Sequence, residues 1–224
     1  MAGSYRHLKA IPLFAELEDE ELEHIASVGI RRGFRAGTEL FRQGEPGSIF
    51  YVVLNGSVKI YSQNDEGKEK ILSVMRSGDF FGEFSVIDGG SRSANARALE
   101  DSEFLTFTRE QFNELLEQYH SMMLNLIRML AVRLRQANEQ VMDIVFLDAK
   151  TQILKTLINL ANQHGERSGS LIKLNVRFSM VEIAEMSGIS LDLTSSVIRE
   201  LEYKGVLTQE FGYYYLNMGG EWQK

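Results

Sequence analysis

The spacing of apolar residues changes along the chain and divides it into regions. Residues 5–27 carry an apolar stripe at helical spacing beside the acidic positions 18–21, which predicts short helices. The stripe consists of Leu13, Phe14, Leu17, Leu22 and Ile25. From 28 to 107, short apolar segments alternate with glycine-containing turns, which favours a small antiparallel barrel or sandwich. Asn55-Gly56 is the clearest predicted hairpin, because both turn positions tolerate positive φ.

The stretch from Glu110 to Phe146 contains neither glycine nor proline and predicts a long helix. One stripe on it alternates steps of four and three residues, the spacing of a coiled-coil seam. The seam consists of Ile127, Ala131, Leu134, Asn138, Val141 and Val145. A second stripe remains to cover the barrel, and it consists of Leu126, Met129, Leu130 and Met142. We therefore favour a two-stranded coiled coil over a helix that lies only on its own barrel, with Asn138 fixing the register or touching a ligand.

After the long helix the pattern predicts a second, smaller domain. Asp148 is suited to cap a helix over 149–164 that ends at Gly165. A polar loop over 165–170 then precedes a short strand, two helices and a terminal hairpin. These elements are predicted at 171–174, 180–187, 191–203, 206–209 and 213–216. We place the domain boundary at the end of the long helix, with Leu147 and Asp148 as the hinge.

Composition excludes several classes of protein. The absence of cysteine excludes disulfides, thiolate metal sites, cysteine nucleophiles and iron–sulfur clusters. A net charge of −7 argues against non-specific attraction to nucleic acid or anionic membranes, although a locally basic face remains possible. The apolar runs are too short to span a bilayer and the N-terminus lacks a signal core, so we expect a soluble, cytoplasmic protein. We expect the histidines to be surface or packing residues rather than metal or haem ligands; they are His7, His24, His120 and His164.

The densest candidate for chemistry is the segment from Phe80 to Ala98. Gly82 allows close approach of the backbone to a ligand, and a helical turn after it would aim free N–H groups at an anion. Arg92 offers a planar fork for a phosphate, which lysine could not replace, and Ser93 adds a hydroxyl. Glu83 would accept a hydrogen bond from a ribose 2′-hydroxyl while Arg92 balances its charge. The alternative is an ordinary Glu83–Arg92 ion pair beside a surface turn.

This segment resembles the phosphate-binding cassette of cyclic-nucleotide-binding domains. Nearly the whole chain resembles the cyclic AMP receptor protein (CRP/FNR) family of bacterial transcription regulators. The resemblance implies an α+β fold with a β-roll (a double-stranded β-helix or jelly roll) over 1–119, a dimerisation helix over 120–147 and a winged helix-turn-helix over 148–224. It implies a homodimer with cAMP or another cyclic nucleotide as effector, double-stranded DNA and RNA polymerase as partners, and no metal, haem, iron–sulfur cluster or membrane. The ligand-binding positions it implies are Phe81, Gly82, Glu83, Phe84, Ser85, Arg92, Ser93, Ala94, Arg133, Ala137 and Asn138.

Two of these positions bear on the nucleotide base. Members of the family that respond to cAMP usually carry threonine and then serine or asparagine where this chain has Ala137 and Asn138. Asn138 fits that pattern and would reach the ligand of the partner subunit. Ala137 removes a hydroxyl that would read adenine. The sequence therefore predicts the phosphate and ribose contacts and leaves the base open.

The segment from Ser179 to Glu202 resembles a helix-turn-helix. Ser179 and Glu182 predict a capping box, Gly188 a turn with positive φ, and Ser190 the cap of the second helix. The terminal hairpin would be the wing. In the family the second helix enters the major groove of DNA. The implied DNA-binding positions are Ser179, Ser190, Leu191, Asp192, Ser195, Ser196, Arg199 and Lys204.

The second helix departs from the family pattern. Relatives commonly begin it with Arg-Glu and place another arginine one turn later, where this chain has Leu191, Asp192 and Ser196. Arginine is the commonest reader of guanine, and here none occurs before Arg199. Thr194 occupies a normally apolar core position. Residues 149–224 hold eight basic and eight acidic side chains, which gives net zero.

These departures leave two functions open. The helix-turn-helix either binds DNA, with Asp192 accepting from a cytosine amino group, or keeps the fold without an operator while the protein acts through protein contacts. We do not expect an enzyme. Glu83 and Arg92 could serve as acid and clamp, but no candidate nucleophile or metal set accompanies them.

Overall fold

The computed structural model describes the backbone of residues 6–218 and the side chains of 7–139, 141 and 147–218. The chain forms two compact units, Met1–Ala137 and Asn138–Lys224. The predicted hinge at Leu147 and Asp148 lies within the second unit and stays a prediction. None of the described helices combines the length and the apolar character that a bilayer span requires.

The first unit is a β-roll flanked by helices, as the sequence predicts. Short 3-10 helices at Arg6–Ala10 and Pro12–Phe14 precede α1 (Asp19–Val28). The strands are β1 (Ile30–Phe34), β2 (Glu39–Phe41), β3 (Ile49–Asn55), β4 (Ser57–Gln63), β5 (Glu69–Arg76), β6 (Phe80–Phe81), β7 (Asn95–Ala98) and β8 (Ser102–Thr108), with α2 (Glu83–Asp88) between β6 and β7. Two antiparallel sheets result, in the orders β1-β8-β3-β6 and β2-β7-β4-β5. The helices α3 (Arg109–Gln118) and α4 (His120–Phe146) follow.

Alternation along β3 builds the core on both faces of its sheet. Phe50 and Val52 face the helices, whereas Tyr51 and Val53 face the second sheet. The Phe50 ring stacks on Phe112 of α3 with 3.9 Å between centroids. Because successive side chains of a strand point to opposite faces, the short apolar run in β3 contributes to two core clusters. It therefore packs against α3 on one face and against the second sheet on the other.

The hairpin predicted at Asn55-Gly56 is wrong. Gly56 has φ +87°, but β3 and β4 belong to different sheets and do not pair. The dipeptide therefore forms a corner between sheets, where a Cβ at Gly56 would overlap Ser102. The true hairpin joins β4 to β5, whose register pairs Ser57 with Arg76 and Gln63 with Glu69.

The predicted long helix is divided at Tyr119, which leaves the helical region with φ −114° and ψ 90°. Along α4, the stripe predicted to cover the barrel does so: Leu126 is buried, and Met129 and Leu130 pack against the same core. Leu134 and Val141 of the predicted seam are 63% and 59% exposed in the single chain, and Ile127 is 56% exposed. The side chains of Met142 and Val145 lie outside the described residues.

The second unit packs three helices on a four-stranded antiparallel sheet. Its elements after α4 are α5 (Ala149–His164), β9 (Gly165–Ser168), β10 (Leu171–Leu174), α6 (Met180–Ser187), α7 (Leu191–Tyr203), β11 (Leu207–Glu210) and β12 (Tyr213–Asn217). The strand order is β11-β12-β10-β9. The predicted helices match these bounds, and the terminal hairpin matches within one residue.

The predicted loop over 165–170 is wrong, because β9 pairs with β10 in this segment. All four β9 residues are exposed, so the strand has no apolar face that sequence periodicity could detect. Gly165 ends α5 as predicted, but with φ −92°, so no left-handed backbone requires glycine here. Close packing does, because a Cβ would overlap the Ala161 carbonyl oxygen and Ile172.

Candidate functional site

The turn between β6 and α2 requires glycine at position 82. Gly82 has φ +79°, in the left-handed region that disfavours other residues. A Cβ at this position would also lie 2.7 Å from Arg92 Nη1 and 3.0 Å from the Ile49 carbonyl oxygen. The backbone at Gly82 therefore lies so close to the Arg92 guanidinium that a side chain at this position would not fit.

Arg92 lies in the middle of the cassette and is only 5% exposed. Its Nη1 donates to the Gly82 carbonyl oxygen at 3.0 Å and to Ser85 Oγ at 2.8 Å, and its Nη2 donates to the Ile49 carbonyl oxygen at 2.8 Å. The guanidinium lies 4.1 Å from the centroid of Phe41. Burial lowers the pKa of Arg92. Within the described residues, Arg92 forms no ion pair, and its buried Nε–H has no acceptor, which is costly unless a partner is supplied.

A second arginine, Arg109, also holds the cassette in place, and it was not predicted from the sequence. Arg109 Nη2 donates to the Gly47 carbonyl oxygen at 2.8 Å and to the Ser85 carbonyl oxygen at 2.7 Å. A Cβ at Gly47 would overlap Ser85 and lie 2.9 Å from Arg92 Nε. Arg109 thus joins the loop before β3 to α2, and no local motif marks it because its acceptors come from distant parts of the chain.

Glu83 forms its ion pair with Arg133 of α4, whereas Arg92 balances its charge only from a distance. Arg133 Nη1 lies 3.0 Å from Glu83 Oε1, while its Nη2 donates to the Phe80 carbonyl oxygen at 2.6 Å. The Arg133 guanidinium also lies 4.2 Å from the Phe80 ring centroid. The alternative of a simple Glu83–Arg92 ion pair is wrong for the same reason: the Arg92 donors are used by carbonyl oxygens and Ser85. Burial raises the pKa of Glu83, and Arg133 opposes this rise.

These groups open onto one pocket of about 640 Å³, including its solvent-open mouth. All predicted ligand-binding residues line it except Ala137 and Asn138, which lie exposed on α4. The sequence reasoning missed part of the wall, which consists of Phe41, Ile60, Leu72, Ser73 and Met75. Ile60 and Ser73 are cross-strand partners in β4 and β5, so the alternation of those strands was the available signal. The pocket is polar at Arg92 and Glu83 and largely apolar on the missed wall.

The caps predicted for the helix-turn-helix are present in the second unit. Glu182 N donates to Ser179 Oγ at 3.2 Å, and Ser179 N donates to Glu182 Oε2 at 2.7 Å. Gly188 has φ +73°, and Ser190 Oγ accepts from Leu193 N at 3.5 Å. These caps and the turn fix where α6 ends and α7 begins.

One face of α7 is exposed and could bind a partner. At 100° per residue, Asp192, Ser196, Arg199 and Tyr203 fall on the side opposite the buried residues, and all four are exposed. The buried residues are Thr194, Val197, Ile198 and Leu201. Thr194 is fully buried, and its Oγ1 has no hydrogen-bond partner among the described residues. Of the other predicted DNA-binding positions, Ser179, Ser190 and Leu191 are exposed, and Ser195 is half-buried.

Lys204 is not a free cation. Its Nζ lies 2.6 Å from Glu200 Oε1, and Lys150 Nζ lies at the same distance from the same oxygen. The two lysines lower the pKa of Glu200 to about 2. Arg199, by contrast, forms no ion pair within the described part of the chain, so it is the cation that α7 presents.

Comparison with known proteins identifies the family. Residues 31–119 match the cyclic nucleotide-binding domain family. The chain is 32% identical over 200 residues to the cyclic AMP receptor protein of Thermus thermophilus, which covers 89% of each chain. The chain belongs to the CRP/FNR family. A second member, the cAMP-activated global transcriptional regulator of Haemophilus influenzae, is 32% identical over 78% of each chain.

The solved structures support the same CRP/FNR fold. The c-di-GMP responsive global regulator of Xanthomonas campestris superposes with a TM-score of 0.75 at 24% identity, over 89% of this chain and 99% of that chain. As a member of the family, the protein is a transcription regulator with a cyclic nucleotide-binding domain. In the described residues, no group of three or more His, Asp or Glu side chains is placed to hold a metal ion.

Glu83 and Glu200 should make the free energy of unfolding depend on pH with opposite signs. Because the folded pKa of Glu83 is raised above 4.5, its contribution to the free energy of unfolding should fall as the pH rises through 4.5. Glu200, with its pKa near 2, should contribute above pH 4.5 and lose that contribution as the pH falls toward 2. Urea unfolding of Glu83→Gln and Glu200→Gln from about pH 3 to about pH 7 measures both differences from wild type. Parallel differences for the two variants would contradict this assignment.

Proposed function

We propose that this regulator is a cytoplasmic homodimer that binds cAMP in the β-roll pocket and binds duplex DNA through its helix-turn-helix. The observation that carries the nucleotide part is Arg92. A buried guanidinium without a carboxylate, with two of its five N–H groups unpaired among the described residues, suits a single anionic group such as a cyclic phosphate.

The rest of the pocket supports the same ligand. Glu83 has a second carboxylate oxygen beyond the one that faces Arg133, and a ribose hydroxyl would donate to it. The apolar wall around Ile60, Leu72 and Met75 suits a purine face. Ser73 is the hydroxyl on that wall, while Ala137 supplies none. We therefore propose strong recognition of phosphate and ribose and weak reading of the base.

The homodimer is supported by the exposed seam of α4. Ile127, Leu134 and Val141 are more than half exposed in the single chain and follow coiled-coil spacing. Arg133 lies between Ile127 and Leu134 in sequence and is bonded to Glu83 in the pocket. Ligand binding at Glu83 would therefore act on the helix that carries the dimer contact. This coupling would bias the two helix-turn-helix units to face half-sites about 34 Å apart.

DNA binding is supported by the exposed face of α7. RNA polymerase is the expected further partner. Arg199 would contact phosphate, Ser196 a phosphate or base edge, and Asp192 a cytosine amino group. The second candidate is a regulator that acts only through protein contacts. The pairing of Lys204 with Glu200 favours this alternative, because it engages a side chain that was predicted to contact DNA.

Nucleotide binding should depend on the phosphate end more than on the base end. A hydrogen bond to a charged group contributes about 1.5–3 kcal/mol and a neutral one about 1 kcal/mol. Arg92→Leu should therefore cost more than Ala137→Thr gains, with cAMP favoured only weakly over cGMP. Isothermal titration calorimetry on nucleotide-free protein measures each value. Because Arg92 also holds the cassette together, Ser93→Ala, which removes an exposed hydroxyl, serves as the milder variant. Failure of the wild type to bind either nucleotide at millimolar concentration would contradict the proposal.

Charged residues in the seam should separate the subunits. Leu134→Glu with Val141→Glu would bury carboxylates in an apolar interface, which is unfavourable unless they are paired. Light scattering should then report a monomer of 25.5 kDa instead of twice that mass. Val132→Glu is the matched control, since Val132 is 44% exposed but lies off the seam. A dimer that survives the double substitution would place the interface elsewhere.

DNA binding should be sequence-specific with a shallow dependence on salt. A net-neutral unit neutralises few phosphates, and each contact contributes a slope of about −0.9 in log K against log salt. Arg199→Ala should weaken binding to all sequences by a similar factor, whereas Asp192→Ala should change the preference at one base pair. Fluorescence anisotropy with duplexes from the gene's own upstream region measures both. A steep slope without sequence preference, or no binding at all, would favour the alternative function.

A further inference from the structure

The turn between β11 and β12 presents an aromatic side chain on a strained backbone. Phe211 is 91% exposed and has φ +52°, the one positive φ of a non-glycine residue in the described part of the chain. Gly212 follows with φ +82°, and Glu210 pairs with Tyr213, so the turn has two residues with type I′ signs. Such turns favour Asn-Gly or Asp-Gly, and bulky residues rarely adopt positive φ. Strain held at an exposed ring points to a role in binding.

Two cations that form no ion pair among the described residues lie beside this turn. Lys173 Nζ is 4.6 Å from the Tyr213 ring centroid, and Arg177 Cζ is 4.9 Å from it. The Arg177 side chain also reaches Gly212, since a Cβ there would lie 3.5 Å from Arg177 Cδ. Within the described residues, neither cation forms an ion pair, although Glu166 is the strand partner of Lys173 and Glu210 that of Tyr213. Two like charges on one ring are stabilised when an anion joins them.

We propose that these four residues form a second DNA contact outside the major groove, which we call the wing patch: Lys173, Arg177, Phe211 and Tyr213. Lys173 and Arg177 would bind backbone phosphates, and Phe211 would enter the adjacent minor groove and wedge against a base step. The inference rests on the proposed DNA-binding function.

Charge and shape favour DNA over a protein partner for the wing patch. An interface with a protein needs a larger apolar centre that is depleted of charge, whereas here one ring stands beside two unpaired cations. Nucleic acid supplies both complements at once, because phosphates bind the cations and bases offer a surface for the ring. The minor groove, about 6 Å wide, admits a single side chain from a two-residue turn.

The sharpest variant is Phe211→Asn, because asparagine tolerates positive φ and has no ring. Relief of strain should raise the melting temperature by about 2–4 °C. Loss of the ring should weaken binding by about 10-fold to duplexes that the full-length wild type, with saturating cAMP, selects from a random pool. A residue with only a structural role would not move stability and affinity in opposite directions. Leu171→Asn is the control, since Leu171 is 44% exposed at the far end of the same sheet.

A position-resolved readout tests the wedge itself. The adenine analogue 2-aminopurine, placed at successive steps that flank the selected half-site, should brighten at one step with wild type and stay dark with Phe211→Asn. Unchanged affinity and no brightening would overturn the wing-patch inference and leave DNA binding intact. Failure of wild type to select any duplex would overturn the proposed DNA-binding function itself.

Discussion

The pocket of this protein is organised around one buried guanidinium that lacks a carboxylate. Arg92 donates to Gly82 of the β6–α2 turn, to Ser85 of α2 and to Ile49 of β3, and its flat face lies on Phe41 of β2. It thereby joins strands of both sheets to the cassette. A buried charge without a counterion is costly unless hydrogen bonds satisfy it, and here carbonyl dipoles do so in part. The cassette therefore holds its shape while two of the five guanidinium N–H groups have no acceptor among the described residues.

Glycine and a second arginine make that arrangement possible. Side chains at positions 47 and 82 would both collide with the groups around Arg92, so the loop and the turn can close on it only as glycine. Arg109 completes the arrangement from the side of α3, and Arg133 attaches α4 through Glu83 and the Phe80 carbonyl oxygen. One set of hydrogen bonds consequently links the pocket to the helix that carries the exposed seam. This link is the physical basis for proposing that the ligand acts on the dimer.

Sequence reasoning succeeded where the signal is local and failed where partners are distant. Ser179, Glu182 and Gly188 define caps and a turn within a few residues, so the bounds of α6 and α7 could be predicted. Asn55-Gly56 has the same local chemistry in a hairpin and in a corner between sheets, and only the pairing of β3 with β8 distinguishes them. The ion-pair partner of Glu83 is Arg133, which lies 50 residues further along the chain on α4. The sequence motif itself contains a nearer arginine, Arg92, so the sequence did not point to Arg133. The exposed β9 strand gave no periodic signal at all.

The positions of the unpaired cations say more about a nucleic-acid partner than the number of cations does. The eight basic residues of 149–224 are matched by eight acidic ones, yet the match is uneven in space. Glu200 pairs with both Lys150 and Lys204, whereas Arg199, Lys173 and Arg177 form no ion pair among the described residues. A duplex would therefore meet few cations, each beside a group that can read shape or base: Asp192 and Ser196 on α7, and Phe211 in the wing. Such a surface would gain little from counterion release and would have to obtain its affinity from fit, which would make its off-site binding weak.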